Sequence, residues 1–455
     1  MASDLREEKK VKEIIKSLSS KLLINSFAMP EDFDNSNILS MSISKKYIFL
    51  FTASSNLFRI ESESLKLLSP ISIQILESKS NFKENLTKIW SERSGNHCII
   101  RHKGIIYYFN SSASTVKELK KLRDIEVCAV AFNDKNDDIK TTGNILISDY
   151  YNNFYDYNII LDKVDSNGEM HLKEHVEKVT TISFKATEKD EEKIFSRRKT
   201  FDRIYDIKFY KSIFENNYYI ICVTKNRFYQ FKGTGANFKE FFSKFEENPS
   251  LFNDSCKFFP NNVKKIKFLN GTDINILYKK KEMDIGGNKY NIEIFDQFGW
   301  KTESGYCFGE FVYNKEKNTD IPEEQKRFNV VPFTRIIYPK NDNDYRPEKI
   351  VGNEPLDIAQ TQNHIFFLYP DCISIINKIS FNIEPSFHHG INYSINFNRM
   401  IFNEFYRDNG FILLYSESGL YQILLKDENK NIWKDYLEIG KYKKSIELSQ
   451  SNKIK

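Results

Sequence analysis

One short pattern occurs seven times along this chain, and that repetition constrains the fold more than any other feature. Each copy is an apolar strand, a tight polar or Gly-containing turn, and a second strand rich in aromatic residues. The first four copies are KKYIFLFTASSNLFRI from Lys45, GNHCIIRHKGIIYYF from Gly95, GNILISDYYNNFYDYNI from Gly143 and NNYYIICVTKNRFYQF from Asn216. The last three are FGWKTESGYCFGEFV from Phe298, NHIFFLYPDCISIIN from Asn363 and NGFILLYSESGLYQILL from Asn409. Successive starts lie 50, 48, 73, 82, 65 and 46 residues apart. The short intervals match the ~40–50 residues of a four-stranded propeller blade. The longer ones carry charged inserts expected on loops: Lys185 to Lys199, Lys279 to Asn291 and Lys340 to Lys349. Both strands of each hairpin are largely apolar, so neither face of the sheet can be left to water. Stacking such sheets around a ring buries both faces and leaves only short edges. The expectation is an all-β chain, a seven-bladed β-propeller. The composition agrees, with Phe 38, Tyr 25 and Trp 3 against nine Ala, because aromatic side chains suit strands and Ala suits helices. A β-sandwich joined to a second domain is the alternative that this pattern leaves open.

Two segments fall outside the repeat. In LREEKKVKEIIKSLSSKLL, residues 5–23, Val11, Ile14, Ile15, Leu18 and Leu22 share one face at helical spacing. Six Lys and Arg against three Glu make adsorption to an acidic membrane surface one reading of that helix, and docking on the propeller the other. At the other end Trp433, Tyr436 and Leu437 share a helical face, and Gly440 is placed to end the helix. Tyr442 and Ile446 then begin a second stripe. This is an αα-hairpin, the first unit of an α-solenoid. Either the hairpin continues into such a rod or it caps the propeller. The expected divisions are 1–29, an N-terminal helical or flexible segment; 30–427, the propeller; and 428–455, the start of a solenoid.

Other chemistries find little support. Lys and Arg exceed Asp and Glu by only +5 over 455 residues, too dilute for a nucleic-acid-binding face. The longest apolar runs are about six residues, such as Tyr218 to Val223, where a membrane span needs ~20. MASDLREEKK lacks the apolar core of a signal peptide, which points to a cytoplasmic protein. Cys98, Cys128, Cys222, Cys256, Cys307 and Cys372 are far apart and read as reduced, buried small hydrophobes. HLKEH, His171 to His175, fits a zinc signature only on a helix, whereas the following VEKVTTISF alternates like a strand. On a strand the two imidazoles stand ~13 Å apart, too far for one ion. His388 and His389 are adjacent and read as loop residues, and GTGAN from Gly233 reads as a turn. The basic stretches Lys117 to Arg123 and Arg197 to Lys199 are interleaved with acids and read as solvated faces. No catalytic, cofactor-binding or metal-ligating set emerges, so the expectation is no enzyme.

Four stretches in order resemble one family. DENKNIWKDYLEIGKYKKSIELS, Asp427 to Ser449, is similar to the propeller-to-solenoid junction of the vacuolar protein sorting-associated protein 18, or deep-orange, family. PLDIAQTQNHIFFLYPDCISIIN, Pro355 to Asn377, resembles the family blade in which a T-x-x-H turn precedes an apolar strand. YIICVTKNRFYQFKG, Tyr219 to Gly233, looks like its strand pair ending in R-x-x-Q-F. LTKIWSERSGNHCIIR, Leu86 to Arg101, is similar to its K-x-x-x-D-x-x-G-x-H-x-x-I segment, with Glu92 where Asp is usual. The resemblance runs from about Lys45 to Ser449 and does not extend to the family's long solenoid or its RING domain. It implies a non-catalytic scaffold subunit of HOPS and CORVET tethering complexes, acting in endosome-to-vacuole or lysosome trafficking. Its partners would be other class C vacuolar protein sorting subunits, with no nucleic acid. It would lie in the cytoplasm, peripheral and indirect on late endosomal, vacuolar or lysosomal membrane. A vesicle-coat or nuclear-pore scaffold is the alternative, and a propeller enzyme acting in its central channel a third. Trp433, Tyr436, Leu437 and Tyr442 are the expected anchors between propeller and solenoid, because packed aromatics dominate such joints.

Overall fold

Each of the seven hairpins forms the middle of one antiparallel sheet, and the seven sheets close into a ring. The computed structural model describes residues 22–26, 37–73, 87–133, 136–182, 203–211, 217–224, 227–247, 256–258, 273–285, 288–302, 305–312, 329–330, 334–336, 355–388, 397–405, 410–416, 419–425, 428 and 432–453. Blade one consists of Ile38–Ile43, Tyr47–Thr52, Asn56–Glu61 and Leu67–Ser72. Blade two has Lys88–Ser91, His97–His102, Ile105–Asn110 and Val116–Glu118. Blade three has Val127–Ala131, Thr141–Asp149, Asn153–Val164 and Met170–Thr181. Blade four has Asp206–Lys211, Asn217–Val223, Arg227–Thr234 and Cys256–Phe258. Blade five has Ile274–Ile285, Asn288–Thr302 and Gly305–Val312, with Asn329–Val330 and Thr334–Ile336 both paired on its outer edge. Blade six has Asp357–Gln360, His364–Leu368, Cys372–Asn377 and Ile383–His388.

Blade seven is assembled from both ends of the chain. Phe397–Asn403, Phe411–Ser416 and Gly419–Leu425 form its inner three strands, and Leu22–Ser26 adds the fourth, pairing Leu22 with Leu425 and Ser26 with Tyr421. The N-terminal stripe was expected to carry Leu22 on a helix; the backbone there is a strand instead, since its hydrogen bonds go to Gly419–Leu425. The ring therefore begins at Leu22, inside the segment expected to precede it. Residues 1–21 lie outside the described residues.

Period-two alternation explains how one hairpin serves two neighbours. In His97–His102, Cys98 and Ile100 face the blade-one side while Ile99 faces blade three. The same division holds around the molecule. Among the described residues seven apolar clusters form, one in each gap between adjacent blades. Phe58 and Phe411 meet between blades one and seven, and Phe298 and Trp300 meet Phe228 between blades five and four. Seven filled gaps leave no sheet face for a sandwich partner. Cys98, Cys222, Cys307 and Cys372 are buried in these clusters or strands without disulfides, as the sequence suggests.

Three further features depart from expectation. The insert Lys279 to Asn291 is not a loop: the first two strands of blade five stay paired out to Ile285 and Asn288. They are 12 and 15 residues long, so this ribbon projects past a ring whose other leading strands are shorter. After GTGAN comes helix α1, Phe238–Glu247, which places Phe238, Phe241 and Phe242 into the cluster between blades three and four. Asn237 Oδ1 accepts the Glu240 N–H at 2.9 Å and the Glu240 carboxylate accepts the Ala236 N–H at 2.9 Å, a reciprocal cap. The HLKEH segment lies in the strand Met170–Thr181, and His388 ends a strand rather than lying in a loop. His389 and the inserts 185–199 and 340–349 lie outside the described residues.

Candidate functional site

The expected αα-hairpin is present as α2, Ile432–Glu438, and α3, Tyr442–Lys453. Gly440, at φ +75, ends α2. Its N–H donates to Leu437 O at 3.0 Å and the Lys441 N–H to Tyr436 O at 2.9 Å, the paired bonds of a Schellman cap. The Ser445 hydroxyl donates to Trp433 O at 2.7 Å and ties α3 back to α2.

The joint between hairpin and propeller is polar, and its centre is Glu428. That carboxylate accepts the Thr361 hydroxyl at 2.5 Å, the Asn363 N–H at 3.0 Å and a bond with His364 Nδ1 at 2.9 Å. Thr361 Oγ1 in turn accepts the His364 N–H at 3.1 Å, closing the turn between the first two strands of blade six. Burial pushes the Glu428 pKa up, but the His364 bond and charge, with Thr361 and Asn363, hold it below the usual carboxylate range. Beside it the buried Lys378 ammonium donates to Gln297 Oε1 at 2.6 Å, Thr361 O at 2.6 Å and Gln362 O at 3.4 Å. Burial pushes its pKa down to about 7, against the opposing pull of Glu428, Asp296 and Glu310. Asn377 Nδ2 reaches Asp435 on α2 at 3.0 Å.

The four nominated anchors lie on the hairpin but are not gathered into one buried contact. Trp433 and Tyr436 are half-buried, Leu437 is 46% exposed and Tyr442 63% exposed, while the buried apolar residue of α2 is Ile432. Sequence reasoning passed over Glu428 because it lies in a charged run. The T-x-x-H turn was the signal, since Thr361 and His364 are the groups that hold Glu428.

The other candidate region is the central channel, a cavity of about 450 Å³ lined by the first strands of the blades. Polar side chains there stitch one blade to the next. Asp206 accepts the Ile274 N–H, Asp357 the Met400 N–H and Ser40 the Ile89 N–H, each at 3.0 Å. Lys88 pairs with Asp273 at 2.7 Å. Where the first strands end, Arg93 of blade two reaches across the mouth. It pairs with Glu293 of blade five at 3.0 Å and with Glu404 after the first strand of blade seven. Its guanidinium lies 3.5 Å from the Tyr278 ring centroid and 4.8 Å from that of Phe405. Burial opposes the Arg93 charge, but Glu404, Tyr278 and Glu293 outweigh it and raise the pKa. Among the described residues no three His, Cys, Asp or Glu side chains are grouped to hold a metal ion.

The Lys88 to Ile100 motif thus has a structural reading at each position. Lys88 holds the channel, Gly95 at φ +87 passes where a Cβ would come within 2.5 Å of Ser44 Oγ, and Ile100 fills the gap to blade one. His97 bonds Tyr108 Oη through Nδ1 and Asp138 O through Nε2, both at 2.6 Å. Glu92 is fully buried.

The family description "Pep3/Vps18/deep orange beta-propeller domain" matches residues 25–425. The chain belongs to this family. The matched span opens in the N-terminal strand of blade seven and closes at the end of its third strand, so it coincides with the ring. As a family of propeller scaffolds, it accounts for an architecture of buried faces and paired channel charges. No curated protein matches the chain. Among solved structures, the β-propeller domain of Cps50 (Swd1) from Myceliophteria thermophila is similar at 6% identity and a TM-score of 0.45. The match covers 89% of this chain and 99% of that one.

Proposed function

We propose that this propeller is a non-catalytic scaffold subunit of a HOPS/CORVET-type tethering complex, acting by protein–protein interaction in traffic from endosomes to vacuoles or lysosomes. Membership of the Pep3/Vps18/deep orange family over residues 25–425 carries this reading. The geometry supports it: the apolar faces are spent on the ring, and the Glu428 joint fixes a helical hairpin to a rigid disc. Specificity then resides in exposed loops and in the hairpin. In this reading Trp433, Tyr436, Leu437 and Tyr442 anchor the hairpin between the propeller and the neighbouring helices that the family resemblance implies. No described helix is long and apolar enough to cross a membrane. The chain works in the cytoplasm and reaches late endosomal, vacuolar or lysosomal membranes through its partners. Affinity purification from cells tests this: other class C vacuolar protein sorting subunits should co-purify, and recovery of vesicle-coat or nuclear-pore components instead would overturn it.

A further inference from the structure

The ribbon of blade five and the helical hairpin are remote in sequence, yet one strand of the ribbon makes polar contacts both at the channel mouth and at the joint of the hairpin. The ribbon, formed by Ile274–Ile285 and Asn288–Thr302, reaches residues of blades one and two through Glu293. It is fastened there by Arg93, through Glu293 and the Tyr278 ring, and by Lys45 of blade one, 3.1 Å from Glu293. Four residues along the same strand from Glu293, Gln297 accepts the Lys378 ammonium. Lys378 also donates to Thr361 O, and the Thr361 hydroxyl donates to Glu428, which leads into α2. The Arg93 fastening and the Glu428 seat are thus linked through the strand from Glu293 to Gln297 and then through Lys378. At the Lys378 end, where Lys378, Thr361 and Glu428 are buried, each lost partner leaves a costly unpaired group.

We propose that the blade-five ribbon is a strap coupled to the propeller–hairpin joint through Lys378. With the strap latched on Arg93, Gln297 holds Lys378 and Lys378 holds the turn on which Glu428 seats the hairpin. A partner that lifts the strap loosens the hairpin, so binding over the channel mouth is felt at the helices. Coupling of ordinary strength between two sites corresponds to about a 5–150-fold change.

Hydrogen exchange on the full chain tests this. In Arg93→Gln, amides of the ribbon beyond Tyr278 should exchange at least tenfold faster, and amides of residues 432–453 about fivefold faster or more. In Lys378→Met the hairpin should be loosened already, and adding Arg93→Gln should speed the ribbon without a further effect on the hairpin. A loosened ribbon with an unchanged hairpin would overturn the coupling, as would an Arg93→Gln effect on the hairpin that persists beside Lys378→Met. If Arg93→Gln does not fold, Glu293→Gln, which leaves Arg93 its Glu404 partner, provides the same readout. An unmoved ribbon in whichever of the two variants folds would refute the latch. None of these outcomes bears on which proteins co-purify with the chain, so this coupling and the trafficking role fail separately.

Discussion

Glu92→Gln should make the protein more stable at neutral pH, by an amount that depends on pH in a defined way. Glu92 is fully buried in the turn leading to His97, with the Ser94 hydroxyl donating to Oε2 at 2.6 Å. Burial is the largest influence on its carboxyl, pushing the pKa from 4.5 up to about 8, with Asp137 adding to the rise and bonds from Ser94 and Asn136 opposing it. Because the folded pKa is raised, the folded state keeps a proton that the unfolded chain releases above pH 4.5. Stability from this group is therefore complete below about pH 4.5 and is lost progressively as pH climbs toward 8. Each pH unit in that window costs about 1.4 kcal/mol, so roughly 3 kcal/mol is gone by pH 7. Glutamine cannot ionise and keeps an acceptor for Ser94; any packing cost of its amide is independent of pH. The difference in unfolding free energy, variant minus wild type, should thus grow by about 3 kcal/mol between pH 4.5 and 7. Urea unfolding followed by near-ultraviolet circular dichroism at several pH values measures it. A difference constant to within about 0.5 kcal/mol would mean that Glu92 is already ionised in the fold, and would refute the reasoning.

Four other outcomes are expected. Glu428→Ala leaves the donors on Thr361, Asn363 and His364 without their buried acceptor. It should cost about 3–5 kcal/mol at the joint, seen as faster proteolysis between blade seven and α2. Gly95→Ala combines a φ of +87 with a Cβ placed 2.5 Å from Ser44 Oγ and should cost at least about 2 kcal/mol, read as a lowered Tm. Removing residues 1–26 takes away the outer strand of blade seven and should lower Tm or drive self-association through the bared edge, checked by calorimetry and size-exclusion chromatography. Trp433→Ala should loosen the hairpin; unchanged melting together with unchanged protease resistance near Asp427 would remove Trp433 from the joint.

The blades were readable in the sequence because both strands of each hairpin must be apolar to fill two gaps, as in HCIIRH and IIYYFN. What escaped was non-local or carried two signals. The short LLINS strand has no meaning until its partner, about 400 residues away, is known. The Arg93 bonds span 200 and 311 residues, beyond any local pattern. The ribbon tip is rich in Lys and Asn, so in the sequence it resembled a loop. Helix α1 was hidden by its own phenylalanines, which suit strands, although Phe238, Phe241, Phe242 and Phe245 keep helical spacing. The hairpin helices were legible from their stripes, whereas the Glu428 seat was not, because its partners Thr361, Asn363 and His364 lie on blade six.

The N-terminal strand of blade seven also fixes an order of events during synthesis. Leu22–Ser26 leaves the ribosome about 400 residues ahead of Gly419–Leu425 and finds its mate only when that strand has followed it. At ~5–20 residues per second, that is a wait of about 20–80 s with a strand unpaired. Six blades can form from neighbours in sequence, but the seventh cannot, so the nascent chain stays an open arc until Gly419–Leu425 is made. The helical hairpin emerges directly after that closure. A chain truncated before Gly419 would therefore carry an orphan strand and lack the helical hairpin, a product that quality-control proteases can recognise by its unpaired edge.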